Sequence, residues 1–414
     1  MTSELESAIA DVFREEWGRV VATVIRRTGD WDLAEEAVQD AFALALERWR
    51  RDGIPERPGA WLTTTASNRA IDSLRRAAKG TEKLREVASM THFEEADLFD
   101  ESGIVDDRLR LIFTCCHPAL TLDARVALTL RTLVGLSTLE IARAFLVPEP
   151  TMAKRLVRAK LKIAHAAIPY RVPPAHLLPE RLVAVLGVIY LLFNEGYAAS
   201  GGADLVRRGL CDEAIRLGRT LAQLMPDEPE ALGLLALMML QDSRRDARTD
   251  TCGDLVTLEE QDRALWDGEE IADALDLLDR ALRRGRPGPY QVQAAIAACH
   301  ASASDARSTD WVEIAALYGQ LAQLSPSPVV DLNRAVAVAM ADGLEAGLAI
   351  VDELATSGVL NGYHLLPATR ADLLRRLDRY LEAATAYREA LELANNDAER
   401  RYLARRLEQV VAKG

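Results

Sequence analysis

Apolar residues recur at three- and four-residue intervals along almost the whole of this 414-residue chain, and strand-like alternation is almost absent. That period places apolar side chains on one face of an α-helix, whereas a half-buried strand needs a period of two. The sequence therefore predicts an all-α fold. With 49% hydrophobic and 27% charged residues, a chain of this length is expected to form two to four globular domains.

Proline, glycine and charge divide the predicted helices into four segments. They are a first block at 1–85, an acidic connector at 86–107, a second block at 108–170 and, after Pro173-Pro174, a C-terminal array at 175–414. The connector contains eight acidic residues and no Lys or Arg, which is typical of a solvated linker.

The C-terminal array contains a faint internal repeat. Leu221-Ala-Gln-Leu-Met-Pro226 returns as Leu321-Ala-Gln-Leu-Ser-Pro326, and this offset of 100 residues is near three times the period of about 34 residues of tetratricopeptide (TPR) repeats. The pattern predicts stacked helical hairpins, with residues 241–262 as an insertion between them. The small and aromatic positions of one such repeat are occupied by Ala371, Leu374, Ala383, Tyr387 and Ala390.

The formal net charge of −13 argues against nucleic-acid binding by the chain as a whole, but the charge is unevenly distributed. Residues 1–170 contain 24 basic and 26 acidic side chains, a net of −2, and the remainder contains 26 and 37, a net of −11. Any nucleic-acid surface is therefore expected in the first 170 residues. The surface of the array should be strongly acidic.

Several features favour a cytoplasmic protein without metal or cofactor. The longest apolar run, Leu182 to Phe193, has 12 residues, short of the roughly 18 that a membrane span needs, so it predicts a buried helix. We expect no signal peptide at the start of the chain. Five cysteines without Cys-x-x-Cys spacing argue against disulfides and a zinc ribbon. Cys115, Cys116 and His117 diverge on a helix, which favours buried residues over a metal site.

The segment from Leu136 to Lys160 has the pattern of two helices joined by a tight turn. Ser137 and Glu140 form a capping box that starts the first helix, which should end near Leu146. Val147-Pro148 turns the chain, and a second helix is predicted from about Thr151 to Ala166. Such a unit is typical of a helix-turn-helix, whose second helix lies in the DNA major groove.

The second of these helices separates basic from apolar residues. Residues 150–170 contain five basic and no acidic side chains. The alternative is a solvated basic face on an ordinary helix, but the capping box, the turn and the charge separation together favour DNA contact. The outward basic residues are Lys154, Arg155, Arg158, Lys160 and Lys162. The core-facing stripe consists of Met152, Leu156, Ala159 and Ile163.

A second basic cluster follows Trp61. Residues 69–85 contain six basic and two acidic side chains, a local charge of +4. Asn68, Asp72 and Arg75 are three or four residues apart, so they share one side of a helix with Arg76. An Asn amide can bind a base edge, and a positive face can hold a single-stranded backbone. We therefore predict contact with an unpaired strand.

The helix predicted from Trp31 to Trp49 is amphipathic. Its inner face is formed by Ala34, Val38, Phe42, Ala45 and Trp49. Its outer face carries Glu35, Glu36, Gln39 and Asp40. Taken alone, the outer face is an ordinary solvated surface.

In this order, the three segments resemble the sigma factors of bacterial RNA polymerase, specifically the extracytoplasmic-function (ECF) type that has only sigma regions 2 and 4. The resemblance covers about residues 7–168. The motif Asp-x-Ala-Glu-Glu-x-Val-Gln-Asp-x-Phe, which starts at Asp32, is similar to region 2.2, which docks on the clamp helices of the polymerase beta-prime subunit. This resemblance implies that Glu35, Glu36, Gln39 and Asp40 contact core polymerase.

The motif Trp-Leu-x5-Asn-x3-Asp-x-x-Arg-Arg, which starts at Trp61, resembles regions 2.3 and 2.4, which melt the promoter and capture a flipped base of the −10 element. It implies a base pocket at Asn68 and strand contacts at Arg75 and Arg76, beside Asp72. The helix-turn-helix resembles region 4.2, which binds the −35 element, and the second block would contact the polymerase beta flap. Its implied DNA contacts are Thr151, Lys154, Arg155 and Arg158.

Two functions of different class follow from these patterns. The leading hypothesis is a promoter-specificity subunit without catalysis of its own, with a TPR-like extension that binds a protein regulator. The alternative is a helix-turn-helix regulator that binds duplex operators and carries a TPR-like sensor; such a protein has no need of the faces at Asn68 and Glu35. An enzyme in the array would rest on isolated polar residues such as His300, for which we expect structural roles.

Overall fold

The computed structural model describes residues 2–78, 107–145, 147–174, 176–198, 206, 208–251 and 253–413. These residues are mostly helical and contain no strand, only an isolated bridge between Thr249 and Leu255, so the all-α prediction is confirmed. Two compact units divide the chain, Met1–Val188 and Ile189–Gly414. The acidic connector lies outside the described residues except for Asp107, as do Lys79, Lys83 and Arg85.

The first block contains helices α1 (Thr2–Thr28), α2 (Trp31–Asp52) and α3 (Pro58–Ala78). Helix α2 begins after Asp30, whose carboxylate accepts hydrogen bonds from the backbone N–H groups of Asp32 and Leu33, each at 3.0 Å. These bonds satisfy donors that have no partner within the helix. The predicted inner face of α2 is buried, as expected.

The second block contains α4 (Asp107–Cys115), α5 (Leu122–Thr129), a π-helical turn (Leu130–Val134), α6 (Thr138–Ala144) and α7 (Glu149–His165). The predicted capping box of α6 is present. Ser137 N donates to Glu140 Oε2 at 2.7 Å, and Glu140 N donates to Ser137 Oγ at 3.2 Å. The predicted core stripe of α7 is buried at all four positions. Leu146, in the turn, lies outside the described residues.

The remaining helices follow the second block, and all of them except the first half of the first one belong to the unit Ile189–Gly414. They are α8 (Leu178–Tyr197), α9 (Arg208–Leu224), α10 (Pro229–Asp242), α11 (Gly268–Leu282), α12 (Pro289–Ser302), α13 (Trp311–Leu324), α14 (Pro328–Ala341), α15 (Leu344–Ser357), α16 (Leu365–Arg376), α17 (Tyr380–Leu393) and α18 (Asp397–Val411). Successive helices from α11 onward pack as hairpins. Helix α8 contains the apolar run that begins at Leu182. Among the described residues, no helix is both long and apolar enough to cross a membrane.

Small residues allow the hairpins of the array to pack closely. Ala371, Leu374, Ala383, Tyr387 and Ala390 are all at most 1% exposed and belong to one core cluster. These are the small and aromatic positions expected from the repeat. The insertion runs from 243 to 267, between α10 and α11, and contains two short 3-10 turns in place of an α-helix.

Candidate nucleic-acid and polymerase interface

One side of α3 carries the predicted single-strand contacts. Asn68, Asp72, Arg75 and Arg76 are all exposed. The Arg75 guanidinium lies 3.8 Å from the Asp72 carboxylate, and Arg76 Nε donates to the Asp72 carbonyl oxygen at 3.2 Å. Because Asp72 holds both arginines only at the helix surface, their remaining N–H groups face solvent and can bind phosphate.

The outer face of α7 carries the predicted duplex contacts. Thr151, Lys154 and Arg158 are exposed. Arg155 is half-buried, and its Nη1 lies 3.3 Å from the Asp123 carboxylate on α5. The helix begins at Glu149 without a side-chain cap. The partial positive charge of a helix start suits a phosphate near Thr151.

The predicted polymerase contacts on α2 do not share one environment. Glu36, Gln39 and Asp40 are exposed. The Asp40 carboxylate also accepts a hydrogen bond of 2.5 Å from Arg69 Nη1, which ties α2 to α3. Glu35 differs from the other three because its side chain is only 7% exposed.

The Glu35 carboxylate is buried between the two blocks. Arg131 Nε, in the π-helical turn, donates to Glu35 Oε2 at 2.9 Å. Lys160 Nζ, on α7, lies 2.8 Å from Glu35 Oε1 and donates to Asp32 Oδ1 at 2.7 Å. A buried carboxylate is costly unless it is paired. Two basic residues of the second block therefore hold an acidic residue of the first.

Close backbone packing joins the same two blocks. A Cβ atom at Gly18, on α1, would lie 2.5 Å from the Leu133 carbonyl oxygen. At Gly135, where φ is 86°, a Cβ atom would lie 2.9 Å from the Trp17 ring. Glycine is required at Gly18 by the lack of space, and at Gly135 both by space and by the left-handed backbone.

Polar contacts at the edge complete this contact between blocks. The Tyr170 hydroxyl donates to the Ala22 carbonyl oxygen at 2.9 Å. Arg26 Nε donates to the Asp107 carboxylate at 2.9 Å. The two blocks therefore form one packed body within the unit Met1–Val188.

The Cys115-Cys116-His117 sequence is not arranged as a metal site. The two thiols lie beside the Thr132 and Thr129 hydroxyls, and burial raises the pKa of Cys116 to about 12. A neutral thiol is a poor metal ligand. His117 Nδ1 accepts from the Ala119 N–H at 3.1 Å. Within the described part of the chain, no group of three or more His, Cys, Asp or Glu residues is placed to hold a metal ion.

Comparisons with known proteins identify both blocks. Family models of sigma-70 region 2 and sigma-70 region 4 match residues 12–80 and 110–163. The ECF RNA polymerase sigma factor SigK of Mycobacterium tuberculosis (strain H37Rv) is 27% identical over 155 residues, which cover 36% of this chain and 81% of that protein. Its counterpart in Mycobacterium ulcerans is 28% identical over 142 residues, 33% of this chain and 74% of that protein. The chain belongs to the ECF-type sigma factors.

This sigma factor has a C-terminal extension that one relative shares. An uncharacterised protein of Rhizobium meliloti (strain 1021) is 47% identical over 399 residues, which cover 95% of this chain and 94% of that protein. A family of unknown function, DUF6596, matches residues 181–282. The two sigma blocks and the array therefore recur together in a second protein.

Membership in this family sets the class of function. A sigma factor is not an enzyme; it directs core RNA polymerase to promoter DNA, and both are its partners. The match to region 2 favours this function over the operator-binding regulator, which has no use for that region.

The contacts between the two blocks were not predicted from the sequence. Lys160 was grouped with the DNA-facing residues of α7, but its side chain is only 13% exposed and is turned toward the first block. No contact was predicted for Arg131. One signal was available at Gly18, because an isolated glycine inside a helical pattern usually has a packing reason.

Two neighbouring acids on α2 offer a matched test of the buried pair. Glu35→Gln should lower the free energy of unfolding by about 3 kcal/mol, because it leaves Arg131 without its anion and Lys160 with Asp32 alone. Glu36→Gln, at an exposed site, should change it by less than about 0.5 kcal/mol. Urea unfolding followed by tryptophan fluorescence measures the difference, since four of the six tryptophans lie before residue 62. Equal effects of the two substitutions would contradict the pairing.

Proposed function

We propose that this sigma factor binds the −10 element of a promoter through α3 and the −35 element through α7, and helps to melt the promoter. The observation that carries this proposal is the exposed group Asn68, Arg75 and Arg76 on α3, which lies beside an exposed acidic face on α2. A base-binding amide next to cationic side chains suits an unpaired strand. On α7, Lys154, Arg155 and Arg158 would contact the major groove and its phosphates, with Thr151 at a phosphate.

We propose that the acidic face of α2, formed by Glu36, Gln39 and Asp40, docks on the beta-prime clamp helices of core polymerase. Acidic side chains repel DNA, so this face is suited to a basic protein surface. The second block would contact the beta flap. In the family resemblance Glu35 belongs to the docking set as well, which conflicts with its burial against Arg131 and Lys160.

An opening step resolves that conflict. Two DNA elements centred near −10 and −35 are about 25 base pairs apart, or about 85 Å along B-DNA at 3.4 Å per pair. Blocks packed against each other cannot reach both elements on a straight duplex. The 28 residues from 79 to 106 span at most about 95 Å when fully extended, which is enough. We propose that the blocks separate when the sigma factor joins polymerase and promoter, and that Glu35 then becomes available.

The packed arrangement would also limit binding by the free sigma factor. When only a fraction of the molecules is competent to bind, the apparent affinity falls by that fraction. Lys160 and Arg131 compete for Glu35 with any basic residue of the polymerase. The contact between blocks would therefore restrict both polymerase docking and simultaneous contact with two promoter elements.

We propose that the array regulates this sigma factor by contact with another protein. Its supporting feature is that the unit Ile189–Gly414 has its own core, so its surface is available for a separate task. The expected location, the cytoplasm, is where a partner of RNA polymerase would act.

Charge reversal at the α2 face tests the docking proposal. Glu36→Arg combined with Asp40→Arg should abolish co-elution with core polymerase, because two attractive charges become repulsive. The matched control is Glu269→Arg with Asp273→Arg, an exposed pair at the same spacing on α11, which should co-elute normally. Circular dichroism checks that both variants are folded. Normal co-elution of the α2 variant would rule out this face as the docking site.

A single methyl group tests the opening proposal. Gly18→Ala places a Cβ atom against the Leu133 carbonyl and should disfavour the packed arrangement by about 1–3 kcal/mol. The apparent dissociation constant for core polymerase should fall about tenfold, since 1.4 kcal/mol changes a population ratio tenfold. Gly187→Ala is the matched control, because a Cβ atom there meets nothing within 4 Å. If Gly18→Ala binds polymerase no more tightly than the control, the packed arrangement does not limit binding.

A further inference from the structure

The insertion between α10 and α11 carries an acidic segment, residues 249–262, with five acidic and no basic residues. Both ends of this segment are anchored to the array. The Arg248 guanidinium lies 3.6 Å from the centroid of the Tyr197 ring on α8, which is a cation–π contact. Arg263 Nη1 donates to the His300 and Ala303 carbonyl oxygens at the end of α12, and the acidic segment crosses between these two anchors.

Arginines of two alternate helices hold the acidic segment. Glu259 pairs with Arg376 on α16 at 2.5 Å. Glu260 pairs with Arg406 on α18 at 2.6 Å. The prediction of a strongly acidic array concerns its net charge, which does not report how charges are distributed over separate faces; on this side of α16 and α18, arginines contact the acidic segment.

A third acidic residue extends the same contact. The Asp254 carboxylate accepts hydrogen bonds from Arg401 and Arg405, both on α18. Three carboxylates of one segment, which is folded into turns, are thus matched to four arginines. We call the surface formed by Arg376, Arg401, Arg405 and Arg406 the arginine face.

One member of each ion pair remains open to water. The side chains of Glu259 and Glu260 are 57% and 48% exposed and that of Arg401 is 47% exposed, whereas their partners are 16–27% exposed. Exposed pairs of this kind are individually weak because water and salt screen them. The covalent connection, which keeps the segment at a high local concentration, contributes much of its occupancy.

A cavity of about 360 Å³ remains between the segment and the helices. Its apolar lining consists of Leu258, Trp311, Val336, Met340, Leu373 and Tyr402. This volume lies at the lower end of the range for small-ligand pockets. The Leu258 side chain lies at the edge of the cavity and leaves it unfilled. The acidic segment therefore satisfies the charges of the arginine face but leaves apolar space beneath it.

We propose that the arginine face is a docking groove for an acidic segment of a partner protein, and that residues 249–262 occupy it as an intramolecular competitor. The chain's own segment displays the chemistry that the groove accepts, namely carboxylates about five residues apart with an apolar residue between them. The cavity would receive a larger apolar side chain of the partner. Because the partner's segment and residues 249–262 need the same arginines, binding of the partner displaces the acidic segment.

Competition with a synthetic peptide tests this proposal on the full chain. The probe is a fluorescein-labelled peptide of residues 249–262 with Cys252→Ser, and its binding is measured by fluorescence anisotropy. In the protein, Asp254→Asn with Glu259→Gln and Glu260→Gln removes the charges of the internal competitor. We expect this triple variant to bind the peptide at least tenfold more tightly than the unmodified chain. Equal binding to both proteins would overturn the proposal.

Charge reversal shows whether the peptide uses the arginine face. In the triple variant, Arg401→Glu with Arg405→Glu should abolish binding. Arg280→Glu with Arg283→Glu, exposed arginines in the last turn of α11 and directly after it, makes the same charge change and should leave binding unaltered. Equal loss in both would mean that the peptide responds only to overall charge and would contradict the proposal. Thermal unfolding followed by circular dichroism verifies that each variant is folded.

Two further ligands separate the remaining explanations. A peptide with Leu258→Phe should bind several-fold more tightly, because the larger ring fills the cavity, and unchanged or weaker binding would contradict the role of the cavity. A single-stranded 14-mer oligonucleotide should not displace the peptide at equal concentration. Efficient displacement would identify the arginine face as a phosphate-binding surface and overturn the proposal of a protein partner. None of these measurements uses polymerase, so their outcome is independent of the docking and opening proposals.

Discussion

The contact between the Glu35 carboxylate and the two cations Arg131 and Lys160 holds the two sigma blocks together. It joins helix α2 of the first block to the π-helical turn and α7 of the second, and each cation has a nitrogen within 2.9 Å of a Glu35 carboxylate oxygen. A charge buried to this degree is stable only while it is paired. Separation of the blocks therefore needs a replacement cation or water, and core polymerase and solvent can supply both.

The packing around this contact leaves no space for larger side chains at two glycines. Gly18 lies against the Leu133 backbone, and Gly135 lies against the Trp17 ring. Ion pairs can adjust by rotating side chains, but backbone contacts of this kind cannot. In the proposed opening, the blocks would therefore be either packed or separated, with few intermediates. A similar principle holds in the array, where acidic residues of the insertion cover an arginine face.

The local pattern of the sequence was sufficient to predict the helices and most of their exposed faces. The core stripe of α7 and the capping box at Ser137 depend on residues three or four apart, which is the range over which a helical pattern is informative. The arginine pairs of the insertion and the burial of Glu35 depend on partners 96 or more residues away. A single sequence contains no information about such pairings. The net charge of the chain was a poor guide to nucleic-acid binding, because it averages faces of opposite sign. These are the acidic face of α2, the basic faces of α3 and α7 and the arginine face.

Energy transfer between the two blocks tests most directly whether the packed arrangement is the resting state of this sigma factor. Donor and acceptor dyes would be attached at Glu47→Cys on α2 and Lys162→Cys on α7, both exposed, with Cys252 and Cys299 replaced by serine. We expect high transfer efficiency in the free protein, and low efficiency once core polymerase and promoter DNA are bound and the blocks lie about 85 Å apart. Low efficiency in the free protein, or high efficiency that persists in a transcribing complex, would contradict the central claim.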